Sequence, residues 1–115
     1  MDSLDLARYI VDVIADQKGE NIVLLDIQDV SILADYFVLA STSSERQAKA
    51  ILEDIKTKAK HEHGIKPLHI EGDATNGWVL LDYTDVVVHL FSHKMRDYYD
   101  LEGLWKEARV IVRML

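Results

Sequence analysis

Two apolar runs, WVLLDY at 78–83 and VVVHLF at 86–91, are separated only by Thr84 and Asp85. Runs of this length, rich in β-branched and aromatic residues, read as strands, and a two-residue connection between strands makes a hairpin. The remaining segments must therefore supply partners for an antiparallel pair. IVLLDI at 22–27 reads as a short buried strand followed by a polar turn at Gln28 and Asp29. Residues 35–40 predict a second strand, with Tyr36, Val38 and Ala40 on one face and Phe37, Leu39 and Ser41 on the other. LHIEG at 68–72 predicts another, and the DATNG stretch after it is a turn with Asn76-Gly77 as its strongest element.

Three segments read as helices. Ser3 can cap the first, whose inward stripe is Leu6, Ala7, Ile10, Val11 and Ile14, with Gly19 placed to end it. The second starts inside STSSERQ and repeats apolar residues at Ala48, Ile51, Leu52, Ile55 and Ala59 until Gly64 and Pro67. Lys56, Lys58 and Lys60 lie toward its negative end, where they oppose the helix dipole. Ser92 caps a final stretch, 93–115, in which Gly103 costs about 1 kcal/mol and divides the helix. The order is helix, two strands, helix, three strands, helix. It predicts a single α/β domain over 1–115, with a mixed sheet of about five strands flanked by helices and 105–115 as a C-terminal extension.

The composition fits one ordinary core: 115 residues, 49% hydrophobic and 29% charged, without repeats. With no cysteine, the chain has neither thiolate metal ligands nor a thiol nucleophile. MDSLDLARYI lacks the basic and apolar regions of a secretory signal, and no apolar run approaches the roughly 20 residues needed to cross a bilayer. A cytoplasmic protein with no membrane contact is expected. Thirteen Lys and Arg against twenty Asp and Glu give a formal charge of −7, which favours a basic protein partner over nucleic acid.

The passage from 35–40 into ASTSSERQ resembles a strand–loop–helix that grips phosphate, but such loops need glycines and a lysine, and this one has neither. It holds instead two overlapping capping boxes, Thr42 with Glu45 and Ser44 with Gln47. A two-metal nucleotidyl-transfer site would need carboxylates pointing the same way. Asp82 and Asp85 are three residues apart and do not, while Glu71 and Asp73 do but sit at the mouth of a turn. His61 and His63 fall on different faces of a helix, and His89, inside an apolar strand, reads as a hydrogen-bonded core histidine. No catalytic, cofactor-binding or metal-binding residue is assigned.

GWVLLDYTDVVVHLF, followed by RDYYDLEGLW and preceded by DYFVLASTSSERQAKAI, closely resembles the ribosomal silencing factor, or Iojap-like, family. The resemblance runs from the first helix through Trp105. It implies a nucleotidyltransferase-like fold without the catalytic constellation. It also implies a translational repressor that binds the large ribosomal subunit at ribosomal protein fourteen and blocks joining of the small subunit under nutrient limitation. A peripheral contact with ribosomal RNA and a homodimer of the free protein belong to the same implication. The rival readings are a small magnesium-dependent nucleotidyltransferase and an unrelated homodimeric interaction module.

Candidate contact residues cluster in the hairpin and after it. Trp78, Leu80 and Asp82 share one side of their strand, and Val79, Leu81 and Tyr83 share the other. Trp78 is either an interface anchor or a core residue, and the resemblance favours the anchor. Tyr83, Asp85, Arg96, Tyr98 and Tyr99 complete the candidate set, with Arg96 and the tyrosines as rim contacts. Leu101, Leu104 and Trp105 form a stripe assigned to packing. The last residues, KEARVIVRML, continue the helix or pair with another chain.

Overall fold

A computed structural model describes residues 1–104 and 106–115, with Leu104 described by its backbone alone. The first helix, α1, runs Ser3–Asp16 and is capped by Asp2 in place of Ser3, the Asp2 carboxylate accepting the Asp5 backbone N–H at 2.8 Å. The Ser3 hydroxyl donates instead to Asp35 Oδ2 at 3.2 Å and ties the helix start to a strand entrance. The predicted stripe is buried, with Val13 added. The chain leaves the helix at Gln17, and Lys18 takes the left-handed conformation (φ 66°), so the reversal comes just before Gly19.

The strands are β1 (Glu20–Asp26), β2 (Tyr36–Thr42), β3 (His69–Asp73), β4 (Trp78–Asp82), β5 (Val86–Ser92) and β6 (Arg109–Met114). Among the described residues they form one six-stranded sheet in the order β3-β4-β5-β2-β1-β6. β5 lies parallel to β2, and the other neighbours are antiparallel. A parallel neighbour requires a crossover. Helix α2 (Glu45–His63) supplies it, ending on Gly64 in the left-handed conformation (φ 67°) that a side chain would disfavour.

Both faces of the central strands are apolar, which is why β2 is buried along its whole length. α1 and α2 cover one face, where their stripes meet Leu24, Val38, Ala40, Val79, Leu81, Val88 and Leu90. On the other face Val23, Leu25, Phe37, Leu39 and Phe91 form a second cluster with Ala34 and Ile27. Helix α3 (His93–Tyr99) packs there against β5 and β2, and its start is capped by Ser92 Oγ accepting the Met95 N–H at 3.2 Å. The alternation predicted for 36–41 is reproduced residue by residue.

The C-terminal segment does not continue the helix but forms a strand of this chain's own sheet. The predicted helix breaks at Asp100 (φ 42°), a short turn of helix, α4, follows at Leu101–Leu104, and β6 then pairs antiparallel with β1. Val110, Ile111 and Val112 are β-branched, and the free edge of β1 gives them backbone partners, so the count rises from five strands to six. The packing stripe predicted at Leu101, Leu104 and Trp105 falls largely outside the described residues; Leu101 is half-buried beside the second cluster.

Candidate functional site

The hairpin places its two residue sets as expected. Val79 and Leu81 of β4, with Tyr83 after it, are buried under the helices, while Trp78, Leu80 and Asp82 are half-buried on the opposite side. Across the ladder Asp73 faces Trp78, Glu71 faces Leu80 and His69 faces Asp82, so these six side chains share one surface. Every residue of β3 is exposed. This half of the sheet therefore presents an apolar pair, Trp78 and Leu80, framed by the acids Glu71, Asp73 and Asp82. A shallow depression of about 190 Å³ opens there, lined by Glu71, Gly72, Trp78 and Leu80.

Trp78 is both packed and accessible. Its indole stacks on Phe91 (centroids 5.6 Å apart, planes at 16°), and Tyr99 lies 4.5 Å away on a tilt. Indole Nε1 donates to His89 Nδ1 at 3.2 Å. His89 is buried beneath it, and burial drives its pKa down to about 4, so the ring is neutral at physiological pH. Because Nδ1 accepts, the ring proton sits on Nε2, which has no hydrogen-bond partner among the described residues. Tyr98 is three-quarters exposed and meets Tyr99 edge-on at 5.2 Å, forming an aromatic rim.

Two of the predicted contact residues are not on this surface. Tyr83 is buried on the helix-covered side, and the same burial pushes its phenol up to about 12. Arg96 is only 8% exposed: Nε and Nη2 hold the two oxygens of Glu102 at 2.7 and 3.1 Å, and Nη1 donates to the buried Ser41 Oγ at 3.0 Å. A guanidinium so enclosed braces α3 and α4 against the end of β2. Asp85 lies at the exposed hairpin tip, where its carbonyl accepts the N–H groups of Asp35 and Tyr36. The Asp82 carboxylate accepts the Thr84 N–H at 2.7 Å and comes within 3.6 Å of His69 Nε2.

At the start of α2 only one of the two capping boxes forms. Ser44 Oγ accepts the Gln47 N–H at 3.0 Å, and Gln47 Oε1 reaches back to the Ser43 N–H at 2.7 Å. Thr42 is still in β2 and donates to the Phe91 carbonyl, while Glu45 pairs with Lys49. His61 and His63 are exposed, and His63 meets Tyr9 edge-on. Among the described residues no group of three or more His, Asp or Glu side chains is arranged to hold a metal ion. Sequence reasoning missed His89 as the acceptor for Trp78, although their pairing could be traced from the hairpin: with two residues in the turn, Trp78 faces Phe91 and lies diagonal to His89.

Fold and surface together define a class: a one-domain α/β protein with a mixed sheet, one face sealed by helices and the other half-uncovered beside an aromatic cluster. The chain belongs to the family described as ribosomal silencing factor during starvation, whose family model matches residues 1–114. It is 38% identical over 111 residues to the ribosomal silencing factor of Halalkalibacterium halodurans, covering 96% of this chain and 94% of that protein. The ribosomal silencing factor of Bacillus subtilis is 43% identical over 93 residues, 81% of this chain and 78% of the relative. A crystal structure of a Chromobacterium violaceum protein superposes with a TM-score of 0.86 at 35% identity, over 92% of this chain and 88% of that one. Membership in a family of ribosome-associated translational regulators follows, and the β6 strand lies within the matched span.

Proposed function

We propose that this chain represses translation by docking the uncovered half of its sheet on ribosomal protein fourteen of the large subunit, so that the small subunit cannot join. The observation that carries the reading is the exposed β3–β4 surface, where Trp78 and Leu80 stand among Glu71, Asp73 and Asp82. An accessible tryptophan beside a leucine supplies apolar contact area, and the acids complement a basic ribosomal protein and speed encounter. Tyr98, Tyr99 and Asp85 extend this surface at its rim. The mechanism is steric occupation, with no bond made or broken. Peripheral contact with ribosomal RNA, a cytoplasmic location and a dimeric free state belong to the same proposal.

Co-sedimentation with purified large subunits, followed by a subunit-joining assay, tests it. Trp78→Ala is expected to weaken binding by about 2 kcal/mol, roughly 30-fold. Leu80→Arg, at a half-exposed position, should do the same without unfolding the domain. If both variants remain folded and sediment with large subunits as the parent does, or if subunits join normally in its presence, the proposal fails.

A further inference from the structure

We propose that His89 is a positioning residue for binding, which holds the Trp78 indole in the orientation that the docking surface uses. This rests on the proposed docking role of Trp78 and adds to it the element that makes the tryptophan rigid. Trp78, His89 and Phe91 form a stacked layer: His89 and Phe91 lie 5.9 Å apart with planes at 5°, and Trp78 and His89 lie 6.0 Å apart at 20°. Stacking sets the plane of the indole but leaves it free to turn over within that plane. The hydrogen bond from Nε1 to His89 Nδ1 removes that freedom. The Nε1 edge of the ring is thereby held against His89.

The chemistry of the site favours this role over simple filling of the core. An imidazole that only filled space would gain nothing from its nitrogens, because burial disfavours polar groups that lack partners. Here Nε2 carries a proton with no acceptor among the described residues, an unfavourable arrangement that phenylalanine or leucine would avoid. What the imidazole provides in return is Nδ1, the acceptor for the indole. Its neutral state, secured by burial, keeps that acceptor available across the physiological range. A contact side chain already fixed in its bound orientation loses less entropy on docking.

The test compares His89→Phe, which keeps a stacked ring without an acceptor, with His89→Asn, whose side-chain carbonyl can accept the indole N–H. Thermal unfolding establishes that each variant is folded. The Trp78 indole N–H is followed by NMR on 15N-labelled protein, assigned with Trp78→Phe, and binding to large subunits is measured by dissociation kinetics. In the parent the indole proton should exchange slowly. His89→Phe should shift its resonance, speed its exchange and weaken binding by about three- to tenfold, the cost of ordering one free side chain, chiefly through faster dissociation. His89→Asn should restore both signals at least in part. Fast indole exchange in the parent overturns the inference, as does parental affinity in a folded His89→Phe variant while Trp78→Ala is impaired. If Trp78→Ala itself binds like the parent, this inference falls with the anchor role of Trp78, and the docking reading falls too when Leu80→Arg also binds like the parent.

Discussion

Replacing Arg96 by alanine separates a structural role for this residue from a contact role. The structure places its guanidinium against three oxygens: both oxygens of Glu102 and the hydroxyl of Ser41, which is fully buried. Removing one member of a buried ion pair costs about 3–5 kcal/mol, but the Glu102 side chain is 31% exposed and recovers hydration, which brings that share down to about 2 kcal/mol. Ser41 loses its donor, worth about 1 kcal/mol, and the aliphatic stem of Arg96 leaves a gap of similar cost. The expected destabilisation is about 4 kcal/mol, a fall in Tm of roughly 16 °C for a domain of this size. Guanidinium unfolding followed by circular dichroism measures it, with the midpoint and m-value fitted separately. A change below about 0.5 kcal/mol, combined with lost ribosome binding, would refute the bracing role and return Arg96 to the contact surface.

The pH dependence of the same pair has a definite sign. The hydrogen bonds from Arg96 hold the Glu102 carboxyl below its ordinary value against the opposing effect of burial. Its contribution to stability is thus complete above the unfolded carboxylate pKa and is lost as pH falls through the lower, folded one; Arg96→Ala should flatten that part of the acid limb.

Three further outcomes are expected. His89 has a linkage of the same sign, although it is the neutral form that the fold favours: stability should fall as pH drops from about 6.5 to about 4, by about 3 kcal/mol in total, and His89→Phe should remove that slope in urea titrations at stepped pH. Thr84 sits at the hairpin tip with φ 74°, a conformation costly for a β-branched residue, so Thr84→Gly should raise stability by about 1 kcal/mol, read from the urea midpoint. Gly72 has φ 73° and lies close against the Trp78 carbonyl, so Gly72→Ala should destabilise by more than about 1 kcal/mol, and amide exchange should show the loss concentrated in β3 and β4.

Much of the fold was legible in residue order because local rules govern it. The stripe of α1, the alternation of β2, the hairpin, the Ser44–Gln47 cap and the Gly64 stop all depend on residues a few positions apart. The errors arose where two local solutions were nearly equal or where a distant partner decided. Asp2 and Ser3 are both good caps, and Asp35, far along the chain, engages the serine. RVIVRM carried a strand signal in its β-branched residues, but it followed a helical pattern, and the edge of β1 that receives it is more than eighty residues away.

The candidate site divides in the same way. The sequence by itself determined that Trp78, Leu80 and Asp82 share a side, because side chains alternate along any strand, and that the chain is acidic and closely similar to a known family. Only the tertiary structure decided which side the two long helices would cover and that Arg96 would be enclosed by Ser41 and Glu102. Exposure and partnership are set by the packing of elements distant in the chain, and the alternation of a strand carries no information about which of its faces another element will seal.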